Sequence, residues 1–391
     1  LESQQLLAEI EDREIDLAHS DRSKTPIEPY LADQWFVRMD RLAQSAMDAV
    51  SDGRVQIFPP RYAKGYLDWL TEKRDWPVGR QLWWGHRIPA FYCGDCGDVM
   101  VAREDPTVCT KCGSTKITQD DDVLDTWFSS GLWPFSTLGW PDSTPDLARF
   151  YPTSVMETGY DILFFWVARM ILMTTYATGQ IPFRTVYLHG LILDRDGEKM
   201  TKSKPETCID PLDEIRENGA DPLRISLVIG NSAGLDFRLS PERLQAARHL
   251  VNKLWNAAKL VEKTLEGAKP TDGLPQPGHP LNRWMLARAH RLVELVDLRL
   301  AAWAFGDAAE QIRGGFWNDF CDVYLEAIKV PELAGLEETR AVAAHVFDLY
   351  LRLLHPFIPF VTEEIWGRLG RPGMLIRAAW PKAELQDAWP G

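Results

Sequence analysis

Two lysines three residues apart are the clearest chemical feature of this sequence. Lys199 and Lys202 lie in the segment Asp-Arg-Asp-Gly-Glu-Lys-Met-Thr-Lys-Ser, residues 194–203, directly after a predicted strand over residues 185–193. Loops at the carboxyl ends of strands bind ligands in open α/β sheets. Two ammonium groups at this spacing suit a polyphosphate whose negative charge rises during phosphoryl or nucleotidyl transfer. A lysine-rich surface turn that contacts only water is the alternative.

A glycine and a carboxylate form the second candidate site. Gly159 and Asp161 lie between a predicted strand over residues 153–157 and a predicted helix over residues 161–176. Glycine lets the backbone approach a ligand closely, and a carboxylate at the start of a helix can accept hydrogen bonds from ribose hydroxyls. A loop glycine and a helix-capping aspartate would explain the same residues without a ligand.

Four cysteines have the spacing of a metal site. Cys93 and Cys96 are followed, after twelve residues, by Cys109 and Cys112. Two Cys-x2-Cys pairs at this separation are typical of a zinc ribbon, in which four thiolates close a tetrahedral, structural site. Reduced thiols without a metal are the alternative. Tryptophan-rich stretches at residues 79–89 and 122–130 are a further feature, and aromatic stripes of this kind usually form core.

The elements that position these residues change in type along the chain. Apolar strands alternate with helical patterns over residues 123–236, and a further apolar segment at 223–229 reads as another strand, which predicts a parallel α/β sheet. From about residue 237 the pattern is helical throughout, with predicted helices at 241–265, 281–302, 306–329, 337–354 and 359–369. An antiparallel helix bundle is the economical arrangement. Residues 30–119 predict short strands and loops.

Bulk properties exclude several classes of protein. The chain has 391 residues, ordinary apolar content and a net charge of −13, which argues against binding nucleic acid by charge alone. Apolar runs stay shorter than the roughly 18 residues of a membrane span. We expect no membrane partner, a reducing cytoplasmic location and, because no Met begins the chain, an origin inside a longer protein.

The lysine loop resembles the signature loop of the class I aminoacyl-tRNA synthetases, usually Lys-Met-Ser-Lys-Ser. Here Thr201 replaces the serine and keeps a hydroxyl. The resemblance implies that Lys199, Lys202 and Ser203 are catalytic and stabilise the transition state at the α-phosphate of ATP. It also implies a nucleotide-binding group, which comprises Gly159, Asp161, His189, Gly190 and Met200.

Other segments resemble, within this family, the enzymes that charge valine. The run Trp-Phe-Ser-Ser-Gly-Leu-Trp-Pro, residues 127–134, is the closest in pattern. The resemblance implies an amino-acid pocket formed by Trp84, Asp125 and Trp127. The helical half is similar to the anticodon-binding bundle of these enzymes, so Arg248 and Lys253 become candidate tRNA contacts, with a solvated amphipathic helix as the alternative.

The predicted fold is therefore α/β plus all-α: the second half of a class I Rossmann-type catalytic domain with a zinc ribbon, then an antiparallel helix bundle. The family's other signature, His-x-Gly-His, is absent from the eight histidines of this sequence. The predicted segments are a remnant of the editing insertion (1–37), a connective region (38–122) with the zinc ribbon (about 90–118), the half-Rossmann domain (123–236), the anticodon-binding bundle (237–370) and a tail (371–391).

The resemblance implies an ATP-dependent ligase that joins valine to tRNA-Val and uses Mg²⁺ together with a structural Zn²⁺. We expect the isolated chain to be inactive and to act with a separate or missing N-terminal half. A non-catalytic tRNA-binding module derived from a synthetase and an isoleucine-charging enzyme are the alternatives.

Overall fold

The structure is a computed structural model, and it describes residues 2–6, 9, 11–20, 23–194, 197–200, 208–265 and 273–384. The chain forms two compact units. The first comprises Leu1–Asp40 and Arg74–Ser129, and the second comprises Arg41–Lys73 and Ser130–Gly391.

Most strands of the described residues are short. They are β1 (Phe36–Val37), β2 (Gln56–Phe58), β3 (Trp76–Pro77), β4 (Gly79–Arg80), β5 (His86–Arg87), β6 (Ala90–Cys93), β7 (Val99–Val101), β8 (Ile117–Gln119), β9 (Val123–Leu124), β10 (Thr153–Gly159), β11 (Phe183–His189), β12 (Ile192–Leu193) and β13 (Phe237–Arg238).

The helices become long in the last third of the chain. They are α1 (Asp40–Ser51), α2 (Arg61–Thr71), α3 (Thr126–Gly131), α4 (Trp133–Ser136), α5 (Pro145–Phe150), α6 (Ala168–Thr178), α7 (Pro211–Asn218), α8 (Ala220–Ser226), α9 (Pro241–Thr264), α10 (Pro280–Ala301), α11 (Phe305–Gly314), α12 (Leu325–Ala327), α13 (Pro331–Ala334), α14 (Glu337–Leu354) and α15 (Pro359–Arg368). Three 3₁₀ turns (Glu2–Gln4, Tyr160–Ile162, Leu375–Arg377) and two π-helical segments (Leu163–Val167, Gly315–Tyr324) complete the described elements.

Small antiparallel sheets form the first unit. Their strand orders are β7-β6-β8, β4-β9-β5 and β1-β3. The β7-β6-β8 sheet coincides with the predicted zinc ribbon and has a core of only four buried residues, Phe91, Cys93, Met100 and Cys109. So small an apolar core buries little surface, and a domain of this kind usually needs a cross-link.

A three-stranded parallel sheet, with order β10-β11-β2, lies in the second unit. The α/β prediction is confirmed, and the strand predicted over 185–193 is two strands, β11 and β12, interrupted at Gly190. Residues 30–119 were predicted as strands and loops, which is wrong for α1 and α2. The buried face of α1 consists of Ala43, Ala46 and Ala49. These side chains are so small that the sequence shows no clear stripe of large apolar residues.

The segment at 223–229 was predicted as a strand, and this is wrong. It begins inside α8, which covers Ala220–Ser226 and buries Leu223 and Ile225. A short apolar run has the same appearance in a buried strand and in a buried helix. Residues 41–73 also differ from the predicted connective region, because they belong to the second unit and supply β2 to its parallel sheet.

The predicted helix bundle is confirmed. Its core joins buried side chains of α9, α10, α11, α14 and α15 with the aromatic residues of the π-helical segment. Ser240 caps α9 as the sequence predicts, since its Oγ accepts a hydrogen bond from the Arg243 amide at 3.3 Å. No helix in the described part of the chain has the length and apolar composition needed to cross a membrane.

Candidate functional site

The carboxyl ends of β10 and β11 form one edge of the parallel sheet. Gly159 is in register with His189, so the last residues of both strands lie side by side. Strand ends in an open α/β sheet are a common ligand site because the loops that follow leave a crevice there. The structure therefore places Gly159 and His189 side by side, and their role in nucleotide binding stays a prediction.

Asp161 and Lys199 meet at this edge. Asp161 lies in the 3₁₀ turn after β10, and its Oδ2 is 2.9 Å from the Lys199 Nζ. The Lys199 side chain is 58% exposed and that of Asp161 is 32% exposed, so solvent and ligands reach both groups. A carboxylate and an ammonium group side by side at such an edge can bind ribose hydroxyls and phosphate oxygens respectively.

A tight turn positions Lys199. The Asp194 amide donates to the Glu198 carbonyl at 2.9 Å, and the Asp194 carboxylate accepts from the Glu198 amide at 2.8 Å. Lys199 then pairs with Leu193 across an isolated antiparallel bridge. Asp194 is only 5% exposed, which makes it an internal brace of the turn and not a ligand group.

His189 and Gly190 have different structural surroundings. The exposed His189 ring donates from Nδ1 to the Gly190 carbonyl at 2.7 Å, and its Nε2 lies 3.4 Å from Glu157 Oε1. Gly190 is buried, and a Cβ added there would lie 1.8 Å from the Leu235 carbonyl oxygen. Its glycine is required by backbone packing, a reason that the sequence did not reveal.

Met200, another predicted nucleotide-binding residue, follows Lys199 directly. Its sulfur accepts a contact from the Ile209 amide at 3.4 Å, which ties the end of the turn to the segment before α7. Lys202 and Ser203, both predicted to be catalytic, lie outside the described residues.

Asp236 and Tyr160 lie at the same edge, and the sequence did not predict either as part of the site. Asp236 accepts from the Tyr160 hydroxyl at 2.9 Å and from the Leu191 amide at 2.7 Å. The hydrogen bond to Asp236 raises the pKa of the Tyr160 hydroxyl. Asp236 thus holds the entry to β12 against the turn that carries Asp161. The only signal in the sequence is an isolated acid before an apolar segment, which is too common to single it out.

The predicted amino-acid pocket residues belong to the first unit. Asp125 is 5% exposed. It accepts a hydrogen bond from the Trp76 indole N–H at 3.2 Å and forms an ion pair with the Arg80 guanidinium at 3.0 Å. Trp127 is half-buried, and its amide donates to Asp125 at 3.3 Å. Trp84 is 93% exposed. The structure therefore groups Asp125 with Trp127 and leaves Trp84 open to solvent; their assignment to a pocket stays a prediction.

Four thiols converge in the ribbon. The sulfurs of Cys93, Cys96, Cys109 and Cys112 all lie within 4.8 Å of one another, with Cys93–Cys112 at 3.6 Å and Cys96–Cys109 at 3.7 Å. Four sulfurs bound about 2.3 Å from one tetrahedral zinc ion would lie about 3.8 Å apart. The arrangement therefore fits a zinc ion without a change of backbone.

The two Cys-x2-Cys loops have matching backbone geometry. Gly97 and Gly113 follow the pairs with φ angles of 69° and 75°, a left-handed conformation that favours glycine. Each donates its amide to the carbonyl of the first cysteine in its pair, at 2.9 Å. Backbone amides of Cys96 and Asp95 lower the pKa of the Cys93 thiol to about 6.

The two predicted tRNA contacts on α9 differ in availability. Arg248 is exposed and, within the described part of the chain, has no ion pair. Lys253 is half-buried: its Nζ lies 2.6 Å from Asp322 Oδ1 and 4.6 Å from the centre of the Trp317 ring. Lys253 therefore links α9 to the π-helical segment, and Arg248 is the better placed of the two for an external ligand.

Comparisons with known proteins identify both parts of the chain. Residues 2–240 match the family described as "tRNA synthetases class I (I, L, M and V)". Residues 282–389 match "Anticodon-binding domain of tRNA ligase".

Curated relatives match over nearly the whole chain. A valine–tRNA ligase of Dehalococcoides mccartyi is 50% identical over 395 residues, which cover 98% of this chain and 44% of that protein. A valine–tRNA ligase of Thermotoga maritima is 49% identical over 391 residues, which cover 99% of this chain and 44% of that protein. The chain thus spans less than half the length of these relatives.

Solved structures share the fold. The Mycobacterium tuberculosis methionyl-tRNA synthetase in complex with methionyl-adenylate gives a TM-score of 0.70 at 21% identity, covering 91% of this chain and 66% of that one. The LeuRS of Agrobacterium radiobacter K84, in a ternary complex with tRNA and LeuAMS, gives 0.67 at 18% identity, covering 79% and 42%. The predicted fold class is confirmed.

Proposed function

We propose, because this chain belongs to the class I tRNA synthetases, that the protein that carries it is a valine–tRNA ligase. The choice of valine rests on the relatives named above, which are about half identical to this chain over nearly its full length. The observation that supports the ATP chemistry is the meeting of Asp161 and Lys199 at the carboxyl edge of β10 and β11.

The proposed reaction has two steps. The valine carboxylate attacks the α-phosphate of ATP, which enters with Mg²⁺, and pyrophosphate leaves as valyl-adenylate forms. A terminal ribose hydroxyl of tRNA-Val then attacks the valyl carbonyl, loses its proton and releases AMP. Both steps depend mainly on alignment of the reactants and on stabilisation of the charge that develops at phosphorus.

The chain's own residues would act mostly by binding. Asp161 accepts hydrogen bonds from the ribose hydroxyls, and Gly159, which has no side chain, lets the nucleotide lie against the end of β10. Lys199 and Lys202 bind the phosphates, with Ser203 beside them. The Asp161 carboxylate lies 2.9 Å from the Lys199 ammonium group, so a phosphate that binds this lysine would compete with the carboxylate for it.

Other proposed roles are distributed along the chain. Asp125 and Trp127, with Trp84, contribute to the valine pocket, and Arg248 and Lys253 contact tRNA phosphates. The domain boundaries given above, with the helical part as the tRNA-binding region, belong to the same proposal. The protein would work in the cytoplasm, where tRNA charging takes place.

We also propose that the four thiols hold one structural Zn²⁺. Cys93, Cys96, Cys109 and Cys112 would supply all four ligands, which leaves no open position for catalysis. Zinc binding would cross-link a ribbon whose apolar core contains only four buried residues.

Valine-dependent exchange of pyrophosphate into ATP tests the proposal. We expect exchange with the full-length gene product and none with the 391-residue chain alone. Lys202→Ala should reduce exchange far more than valine binding, whereas Lys64→Ala should not, because Lys64 is an exposed residue paired with Asp68 on its own helix.

Three other outcomes would contradict parts of this proposal. Stimulation by isoleucine in place of valine would indicate the sister enzyme. Binding of tRNA by the full-length protein without amino-acid-dependent exchange would indicate a non-catalytic module. Equal losses of exchange and valine binding in Lys202→Ala would refute the role of that lysine.

A further inference from the structure

The turn between α14 and α15 receives two charged side chains from α8. Asp221 accepts hydrogen bonds from the amides of Phe360 at 3.3 Å and Val361 at 2.6 Å, at the start of α15. Arg224 donates to the carbonyls of Pro356 at 3.1 Å and Phe357 at 3.2 Å, just beyond the end of α14.

The charge of Asp221 matches the helix end that it contacts. The start of a helix carries unpaired N–H groups and a partial positive charge, and its end carries unpaired C=O groups and a partial negative charge. Asp221 faces the first kind of end. Arg224 instead donates to two carbonyls of the turn itself, one and two residues beyond the His355 cap of α14. Asp221 and Arg224 are three residues apart on α8, so one face of this helix presents both charges.

Asp221 is held in a buried setting. It is 5% exposed, and burial raises its pKa although the Val361 and Phe360 amides act in the opposite direction. A buried carboxylate is expensive unless hydrogen bonds satisfy it. An aspartate can therefore lie buried at this position because the two amides of α15 donate hydrogen bonds to it.

Another part of α8 belongs to an apolar cluster next to β12. Leu223 shares a buried cluster with Leu239 and Leu244, and Ile192 of β12 packs against that cluster. β12 leads directly into the turn that carries Lys199. Helix α8 thus shares an apolar cluster with β12, the strand that precedes the Lys199 turn. Through Asp221 and Arg224 it also contacts the α14–α15 turn.

Arg243 of α9 fixes the far end of α8. Its guanidinium donates to the Ser226 carbonyl at 2.6 Å, to the Ile229 carbonyl and to Asn231 Oδ1 at 2.7 Å. The end of α8 is therefore anchored independently of the two charged residues, and the helix can survive the loss of either charge.

We propose that Asp221 and Arg224 are positioning residues that fix the α14–α15 turn, and with it the helical region, relative to the turn that carries Lys199. The proposal rests on the proposed function in one respect: it takes the helical region to be the part that binds tRNA. Valine activation needs only the nucleotide and amino-acid sites, so it does not depend on this alignment. Transfer to tRNA does, because one tRNA must contact both regions at once.

The test uses the full-length gene product with Asp221→Asn and Arg224→Gln, separately and together. Asp213→Asn with Arg216→Gln is the matched control, since these residues are an acid and an arginine at the same spacing on α7 that pair with each other at 2.6 Å in solvent. Valine-dependent pyrophosphate exchange, kcat and KM for tRNA charging, and the melting temperature are measured for each protein.

We expect exchange within about twofold of the unmodified protein and a fall of about tenfold or more in kcat/KM for tRNA, carried mainly by KM. The control should change neither. Unchanged charging in the double variant would overturn the proposal. A loss of exchange and charging by the same factor, together with a lower melting temperature, would also overturn it, since that pattern indicates general destabilisation.

A second measurement needs no activity. Hydrogen exchange of the Phe360 and Val361 amides should become faster in Asp221→Asn and stay unchanged in the α7 control. If the unmodified protein shows no valine-dependent pyrophosphate exchange, the proposed function fails. The two amides still test whether Asp221 fixes the α14–α15 turn: faster hydrogen exchange in Asp221→Asn supports this, and unchanged hydrogen exchange overturns it.

Discussion

Replacing Gly190 with alanine tests how the candidate site is built. The ideal Cβ would lie 1.8 Å from the Leu235 carbonyl oxygen, 2.1 Å from its carbon and 2.6 Å from the Asp236 amide nitrogen. All three atoms belong to the backbone, so no side chain can rotate away. A comfortable contact needs about 3.5 Å, and the two segments must therefore separate by about 1.7 Å at the Leu235 carbonyl oxygen.

The magnitude follows from what that separation breaks. The Phe237 amide donates to the Leu191 carbonyl at 3.1 Å, and the Leu191 amide donates to Asp236 at 2.7 Å. Losing both costs about 2 kcal/mol, and the overpacking itself costs about 1–3 kcal/mol. We expect Gly190→Ala to destabilise the second unit by about 3–5 kcal/mol, which corresponds to a fall in melting temperature of roughly 5–15 °C.

The assay is thermal unfolding, followed by circular dichroism, with Gly65→Ala as the control. Gly65 lies inside α2, and its nearest neighbour to an added Cβ is the Phe164 ring at an ordinary 3.8 Å. Alanine should therefore stabilise that helix by up to about 1 kcal/mol. Pyrophosphate exchange by the full-length Gly190→Ala protein should fall as well, because β12 carries the Lys199 turn.

An unchanged melting temperature for Gly190→Ala would refute the packing argument. In that case glycine at this position would serve the ligand alone, as the family resemblance implies. Loss of exchange with unchanged stability would separate those two reasons for the residue.

Further predictions concern the metal site, the lysine and pH. Cys96→Ser should lower the zinc content measured by mass spectrometry and increase hydrogen exchange in residues 90–119, whereas Cys208→Ser, outside the cluster, should do neither. Lys199→Ala should reduce pyrophosphate exchange but change stability by less than about 1 kcal/mol, because its ion pair is exposed; a larger change in unfolding would contradict this. Burial, followed by the charges of His290, Arg352 and Arg371, lowers the pKa of His345 to about 4. The unfolded chain therefore binds more protons between pH 6.5 and 4, so stability should decrease as pH falls through this window, by at most about 1.4 kcal/mol per pH unit for this group. Urea unfolding at several pH values should give a smaller slope in His345→Gln, and an equal slope would refute the assignment.

Local signals in the sequence predicted much of the helical half. Ser240, Pro241 and Glu242 predicted the start of α9, which begins at Pro241 with the Ser240 cap in place. The pattern was equally clear for α14, where the predicted bounds 337–354 agree with Glu337–Leu354. A helix that buries one regular stripe carries its own evidence in the spacing of apolar residues.

Elements defined by distant contacts were not predictable. The short strand β2 joins the parallel sheet through Thr185 to Tyr187, more than a hundred residues away in the chain. Helix α8 reads as a strand because its apolar residues are packed on several sides, including the α14–α15 turn. In both cases the deciding neighbours lie far along the chain, and no local pattern specifies them.

The residues of the candidate site also fall into two groups, those that a local motif predicts and those that depend on distant contacts. The spacing of the four cysteines was sufficient to predict that their sulfurs meet. Each pair is held together by its own short loop, so the fold has only to bring the two loops together. The motif carrying Lys199 was recognisable, but its pairing with Asp161 depends on strand register and on the brace formed by Asp194. Asp236 has no motif at all and is apparent only from its hydrogen bonds.

The ion pair between Lys199 and Asp161 also affects how ATP affinity responds to salt. A lone lysine gains from a phosphate contact that added salt weakens by screening. In the proposed function ATP displaces Asp161 from Lys199, and the same salt weakens this ion pair, so the two effects would partly cancel. The lysine is already neutralised at short range, and it contributes little to the long-range attraction of the anionic nucleotide. ATP affinity should therefore depend less steeply on ionic strength than two loop lysines would suggest, and Asp161→Asn should make that dependence steeper.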